Sequence, residues 1–373
     1  ARPNFMKIAP FIREVQKDGS LHHVLVHTGQ HYDERMSKTF FDSFQIASAD
    51  INLEIGSGTH AEQVGDTMIA FEKVLIKEQP DWVVVVGDVN ATLACSVTAK
   101  KLHIKVCHIE AGLRSGDEEM PEEINRLVTD RLSDLLLTPD TLSSENLRKE
   151  GIADKKIKFV GNIMIDTLES NREKASKLTI FDILKDNLID GNDFPHSTFD
   201  FQLSEFALMT MHRPSNVDQK EVLEPIIRFL LDEVSTDIEI YWPIHPRTQK
   251  QLQNFALWDE VLSHKELILL HPLGYHEMLR LNMDAKIMFT DSGGLQEECT
   301  VIGTPCMTLR WNTERPITLR ENGGASVLVG NKIDNIKNEY YKLMNSKFSP
   351  VYPPLWDGKT ANRCLKSILN YKS

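Results

Sequence analysis

"DWVVVVGDVNATLACSVTAKKLHIKVCHIEAG", Asp81–Gly112, decides the architecture. The run Val83–Val86 is β-branched throughout, and Gly87 and Asp88 end it. It lacks polar alternation, which predicts a strand buried on both faces. "NATLACSVTAKKL" (90–102) predicts a helix capped near Asn90, and "IKVCHIEAG" (104–112) the next strand. Strand, helix and strand in succession make a βαβ unit, so the two strands run parallel.

The same alternation extends in both directions. Upstream, "HHVLVHTG" (22–29) and "ADINL" (49–53) read as short strands. In "HAEQVGDTMIAFEKVLIKEQ" (60–79), Val64, Met68, Phe71, Val74 and Leu75 fall on one helical face. Downstream, "EEINRLVTDRLSDLLL" (122–137) predicts a helix, and the strand "KIKFVGN" (156–162) closes the series. Residues 169–203 are polar and punctuated by Gly, Pro and Asp, which reads as a connecting region. A second series follows: strands "EFALMTMH" (205–212), "IEIYWPIH" (238–245), "LILLHPLG" (267–274) and "AKIMFTD" (285–291), with helices at 221–234 and 295–303. "GKTANRCLKSILNYKS" (358–373) predicts a terminal helix. The expected fold is α/β, with two Rossmann-like domains facing across a cleft: 1–167, and 168–356 carrying the nucleotide. Ligands of such sheets bind beyond the carboxyl ends of the strands.

Composition narrows the partners. The chain has 373 residues, enough for two cores, and 41% hydrophobic and 26% charged residues, ordinary for a globular protein. The formal net charge of −12, without a basic block, argues against nucleic acid. No apolar run reaches the ~20 residues that span a membrane. Cys95, Cys107, Cys299, Cys306 and Cys364 are scattered and odd in number, which points to reduced thiols in the cytoplasm.

The strand ends collect the chemistry. Asp88, Glu110 and Arg114 come from the first series, with Glu122 and Glu123 at the next helix start. The second series delivers His212, Arg213, His245, Arg247, Glu314 and Arg315. It also delivers "TDSGGLQEE" (290–298), where Ser292, Gly293 and Gly294 open a helix. Bare N–H groups and the helix dipole favour an anion at such a turn, and a serine-capped turn without ligand reads equally well. Asp88 reads evenly as a helix cap or as an acid facing ligand. Glu122 and Glu123 are both explained by the dipole of a first turn, whereas Glu110, after a buried strand, is not explained by solvation. His245 and His271 read as structural. Acids on one half, with Arg, His and glycines on the other, suit a diphosphate ligand whose carbon centre needs acid/base chemistry.

These segments, in order, resemble the non-hydrolysing UDP-N-acetylglucosamine 2-epimerases. "ARPNFMKIAP", "HTGQHYDERM", "GDVNATLA", "HIEAGLRSGD", "MPEEINR", "FVGNIMID", "MHRPSNVD", "TDSGGLQEE" and "RWNTERP" each have a close counterpart, and the likeness runs nearly end to end. The resemblance implies a GT-B fold whose last helix, 357–373, packs back on the first domain, and a homodimer. It implies that Asp88, Glu110 and Glu122 are catalytic carboxylates with His212 beside them. Arg2, Lys7, Arg114, Arg213, Ser292, Gly293, Gly294, Glu298 and Arg315 are implied to bind the UDP-sugar, Glu298 through the ribose. Gln30 and His31 match a segment that in some members binds a second, regulatory UDP-GlcNAc. No metal and no other cofactor is implied. The reaction would be anti elimination of UDP to 2-acetamidoglucal and re-addition on the other face. The chain departs from the family at Asn4, Ser215, Met278 and the longer turn 319–330, which bears on the substrate more than on the reaction. A related epimerase of a UDP-diacetamido-uronic acid and a GT-B glycosyltransferase are the rival readings. "ARPNFMKIAP" has the pattern of a turn and helix that follow a first strand, so a strand of roughly ten residues is expected before it.

Overall fold

The structure is a computed structural model that describes residues 2–29, 49–192, 204–346 and 348–372. The chain divides into two compact units, 1–167 with 353–373, and 168–352.

The first unit opens with helix α1 (Arg2–Asp18) and a parallel pair, β1 (Val26–His27) and β2 (Ile51–Asn52). Helix α2 (His60–Glu78) begins with a capping box: Thr59 and Glu62 satisfy each other's backbone N–H. A four-stranded parallel sheet follows in chain order: β3 (Trp82–Val86), β4 (Lys105–Ile109), β5 (Leu135–Thr138) and β6 (Ile157–Phe159). Helix α3 (Asn90–Lys101) joins β3 to β4, and α4 (Pro121–Leu132) joins β4 to β5. The sheet is buried against Phe11 and Val15 of α1 on one face and Phe71 and Leu75 of α2 on the other.

The structure corrects the reading of 122–137 as one helix. The helix stops at Leu132 and Leu135–Leu137 are a strand with no exposed surface. Three consecutive leucines are apolar on every side, which fits a doubly covered strand and not a half-exposed helix. Asp134 makes the break: its Oδ2 accepts from the Val106 amide at 2.9 Å and from Lys100 Nζ at 2.8 Å. Helix α5 (Thr141–Lys149), absent from the sequence reading, is capped by Asp140, whose carboxylate accepts from Ser143 N at 2.7 Å.

The stretch read as a connection from 169 is also corrected. Helix α6 (Ile163–Ser176) runs into it, and α7 (Ile180–Asn187) starts at a Thr179 cap and buries Ile180, Ile183 and Leu184. Within the second unit come β7 (Phe206–Thr210), α8 (Lys220–Phe229), β8 (Glu239–Pro243), α9 (Pro246–Asn254), α10 (Trp258–Ser263), β9 (Leu267–Leu270), α11 (Tyr275–Asp284), β10 (Ile287–Thr290), α12 (Gly293–Ile302), β11 (Cys306–Thr308), β12 (Ser326–Leu328) and α13 (Ile333–Met344). Their sheet is parallel throughout, in the order β12-β11-β10-β7-β8-β9. This is the dinucleotide-fold order, and its reversal of direction lies between β7 and β10.

Helix α14 (Thr360–Leu369) belongs to the first unit, together with Pro353–Asp357 before it. Asp166 caps it, accepting from Thr360 N at 2.9 Å and Ala361 N at 2.7 Å, and Trp356 Nε1 donates to Pro139 O at 3.0 Å. Among the described residues no helix is long and apolar enough to cross a membrane.

Gly112, just past β4, has φ +83° and lies where a Cβ would meet the Ser143 carbonyl oxygen at 2.3 Å. Both the left-handed backbone and the backbone neighbour resist a side chain. Gly112→Ala is expected to cost on the order of 3 kcal/mol, read from the urea midpoint of the first unit's transition. An unchanged midpoint would show that the loop yields.

Candidate active site

Parallel strands place the first unit's acids together. Asp88 follows β3 and Glu110 follows β4, its hydrogen-bonded neighbour. Asp88 does not cap α3; the cap position is Val89, without a side-chain bond. Its carboxylate instead meets Arg126 Nη1 at 2.5 Å, and its carbonyl accepts from Asn125 Nδ2 at 2.8 Å. Glu110 is buried in a left-handed backbone, φ 69°. One of its oxygens is bonded to Lys7 Nζ, and the other, Oε1, has no partner among the described residues. Lys7 is itself buried, and a Cβ on Gly87 would lie 3.1 Å from its Nζ, so glycine leaves the lysine its place.

The ambiguity between Glu122 and Glu123 resolves by burial. Glu123 is buried and grips Arg126 through Nε (2.8 Å) and Nη2 (2.7 Å), while the amides of Ser115 and Gly116 also donate to it. Burial alone would raise its carboxyl; those donors outweigh burial and hold it below the usual range. Glu122 is exposed in the first turn of α4. Arg114 is committed elsewhere: Nη1 lies 2.8 Å from Asp130 and Nη2 2.7 Å from Glu150. Asp130 also accepts from Gly112 N at 3.0 Å and lies 2.6 Å from His108 Nδ1. His108 Nε2 faces the Gly87 carbonyl at 2.8 Å, which ties the Asp88 loop to β4. Arg114 therefore ties Asp130 to Glu150 within this internal network. The Arg2 side chain, Gln30 and His31 lie outside the described residues.

In the second unit, Ser292 sits at the N-cap of α12 with extended backbone and no capping side-chain bond. The simple serine-cap reading is thus not realised, and the Ser292 side chain takes up none of the first N–H groups of the helix. Arg315 stands against it: a Cβ on Gly293 would lie 2.8 Å from Arg315 Nη1 and 2.7 Å from Glu314 Oε1. Arg315 Nε donates to Glu297 at 2.6 Å and Nη1 to Glu314, which also accepts from Arg310 Nη2 at 2.7 Å. Burial opposes ionisation of Glu314, yet the two arginines hold its carboxyl well below the usual range. His212 follows β7, with its side chain 43% exposed and its Nδ1 2.9 Å from Asp291 Oδ1. Arg213 Nε donates to the Asp291 carbonyl at 2.9 Å. His245 caps α9, accepting from Arg247 N at 3.1 Å, in keeping with a structural role. Sequence reasoning passed over Arg126 and Asp291, both of which stand inside quoted motifs; a charge at the end of a buried strand was the available signal for Asp291.

Glu298 is buried in α12, and burial pushes its carboxyl up to about 7, helped by Glu297 and opposed by a bond from Tyr275. The folded value lies above the unfolded one, so this group's stabilisation is full below about 4.5 and is lost as pH rises to about 7. The loss is about 3 kcal/mol at most. Glu298→Gln should flatten the stability difference between pH 5 and pH 8, measured by urea denaturation. An identical pH slope in both proteins would place Glu298 in contact with water.

Comparison with known proteins follows the same lines. The profile of the UDP-N-acetylglucosamine 2-epimerase family matches residues 13–369. A UDP-N-acetylglucosamine 2-epimerase of Methanocaldococcus jannaschii is 41% identical over 371 residues, 99% of this chain and 97% of its own. A UDP-2,3-diacetamido-2,3-dideoxy-D-glucuronate 2-epimerase of Pseudomonas aeruginosa is 37% identical, over 90% of this chain and 88% of its own. The crystal structure of the Methanocaldococcus jannaschii UDP-GlcNAc 2-epimerase in complex with UDP-GlcNAc and UDP superposes with a TM-score of 0.85, at 40% identity, covering 100% of this chain and 98% of that one. The fold is of the two-domain GT-B type, and the chain belongs to the UDP-N-acetylglucosamine 2-epimerase family.

Proposed function

We propose that the chain interconverts UDP-GlcNAc and UDP-ManNAc by eliminating UDP and adding it back. The observation that carries this reading is the pair Asp88 and Glu110 at adjacent strand ends, each held by its own cation. Inversion at C2 needs a base on one face of the sugar and an acid on the other. A carboxylate removes the C2 proton, the C1–O bond breaks, and its electron pair leaves with UDP, giving 2-acetamidoglucal. Re-addition reverses the electron flow, with a proton delivered to C2 from the opposite face. Asp88, Glu110 and Glu122 are the acids and bases of this scheme. The N-terminus of α12, His212 and Arg315 receive the diphosphate, where preorganised donors act on the charge that develops as the bond breaks.

The Pseudomonas aeruginosa relative supports a second reading, a UDP-diacetamido-uronic acid as substrate. Product identification by NMR after incubation with each sugar nucleotide separates the two. In D2O, epimerised UDP-ManNAc is expected to carry deuterium at C2, and full retention of protium would exclude elimination. Asp88→Asn and Glu110→Gln should each lower kcat by roughly 10²–10⁴-fold and keep UDP affinity within a few-fold by calorimetry. Full turnover in both would remove these residues from the scheme.

We also infer a homodimer joined through the first unit. Helices α2 and α4 each pack on α3 and expose aliphatics: Ile69 (62%) and Ile76 (60%) on α2, and Ile124 (44%) and Val128 (37%) on α4. These are four of the eight large hydrophobics exposed among the described residues, and such a concentration marks a surface that another chain covers. Light scattering should give twice the chain mass for the wild type and the chain mass for Ile69→Lys/Ile76→Lys; a monomeric wild type would end the inference. A cytoplasmic, reducing setting suits the five cysteines, all free and buried.

A further inference from the structure

β7 and β10 are hydrogen-bonded neighbours at the point where the second sheet reverses its strand order. Asp291 ends β10 without exposed surface, and its two oxygens face different partners. Oδ2 accepts from His212 N at 2.9 Å, Arg213 N at 2.8 Å and Asn216 Nδ2 at 3.1 Å. Oδ1 lies 2.9 Å from His212 Nδ1, a close ion-pair contact outside hydrogen-bond alignment. Two bare lone pairs would repel at that distance and an ionised carboxylate carries no proton, so the ring nitrogen beside it carries one. The His212 side chain is 43% exposed, and the His245 ring centroid lies 5.3 Å away. Burial raises the Asp291 carboxyl, but His212 and the two amides outweigh burial and hold it below its usual range.

We propose that Asp291 is a positioning residue for His212. It fixes the tautomer with the proton on Nδ1 and leaves Nε2 as the nitrogen that meets the nucleotide. The assignment rests on the nucleotide reading given above. With Nδ1 so held, Nε2 can take up a solvent proton and donate a hydrogen bond to a phosphate oxygen as the C1–O bond breaks. The carboxylate behind the ring offsets the imidazolium charge, and no proton need be transferred to the phosphate.

Asp291→Asn tests this with the shape of the loop preserved. Three donors converge on Oδ2, so the amide oxygen must stay there and the NH2 must turn to His212 Nδ1. Nδ1 then becomes the acceptor, and the proton moves to Nε2. Histidine 15N spectra, with His212 identified by its loss in His212→Gln, should show Nδ1 protonated in the wild type and Nε2 protonated in Asp291→Asn. Epimerase kcat should fall roughly 10²–10⁴-fold in Asp291→Asn. In the His212→Gln background the same change should cost less than about threefold, because a residue that acts through another has nothing left to act on. An unchanged tautomer, or an equal loss in both backgrounds, would overturn the proposal and leave Asp291 a loop-building residue. The spectra need no substrate. A wild type that fails to epimerise any UDP-sugar would sink the functional reading, while the tautomer result would still decide the role of Asp291.

Discussion

Parallel pairing is the constraint on which the site depends. In each sheet every strand runs the same way, so every strand ends on the same edge. That edge gathers residues far apart in sequence: Asp88 with Glu110 in one unit, His212 with Asp291 in the other. Because the connecting helices cover both faces, the strands are largely apolar on both sides, and these acids stand where the strands stop. The site is thus a by-product of burial as much as of chemistry. The βαβ rule that hides Val83–Val86 and Leu135–Leu137 also delivers Asp88 and Glu110 to one edge of their sheet.

A charge at the end of a buried strand must be paired, and the pairing sets its role. Asp130 shows the structural outcome: its carboxylate meets His108, Gly112 N and Arg114, and nothing is left over. Asp88, Glu110 and His212 show another outcome. Asp88 meets a cation on one oxygen and keeps a quarter of its side-chain surface exposed. Glu110 leaves Oε1 without a partner among the described residues, and the His212 side chain is 43% exposed. In the proposed site these groups are incompletely satisfied, and an unpaired buried polar atom such as Glu110 Oε1 calls for an explanation.

Much of this was legible in the sequence, for physical reasons that also explain the failures. Strands such as Trp82–Val86 and Ile287–Thr290 announce themselves because β-branched and apolar runs end at Gly or Asp. The strand Leu135–Thr138 was missed because leucine favours helix and the preceding twelve residues are helical in pattern; tertiary burial overrode propensity. Helix α7 was missed because its apolar positions, Ile180, Ile183 and Leu184, fill only two turns between polar neighbours. Among the site residues, Glu110 was legible from its strand. The ion pairs of Arg114 were not, because its partners Asp130 and Glu150 come from later elements and motif position says nothing of them. Glu122 and Glu123 are chemically identical in sequence, and only helix rotation tells the exposed one from the buried one.

A non-glycine residue in a left-handed backbone costs on the order of 1–3 kcal/mol, and a glycine or asparagine there would avoid most of it. The chain keeps a glutamate at φ 69°, buried, with Lys7 on one oxygen. Stability alone does not account for this choice: the ion pair costs desolvation of both groups, and buried pairs of this kind often do no better than apolar replacements. What the strained turn does achieve is direction. It turns the Glu110 side chain back towards the end of β3, where its bonded oxygen would lie 3.6 Å from a Cβ on Gly87. Glycine at 87, itself at φ +68°, leaves room for Lys7 Nζ, 3.1 Å from where a Cβ would stand, and Lys7 in turn holds the Glu110 carboxylate. Backbone strain at Glu110 is the local cost of bringing a second acid to the strand end beside Asp88.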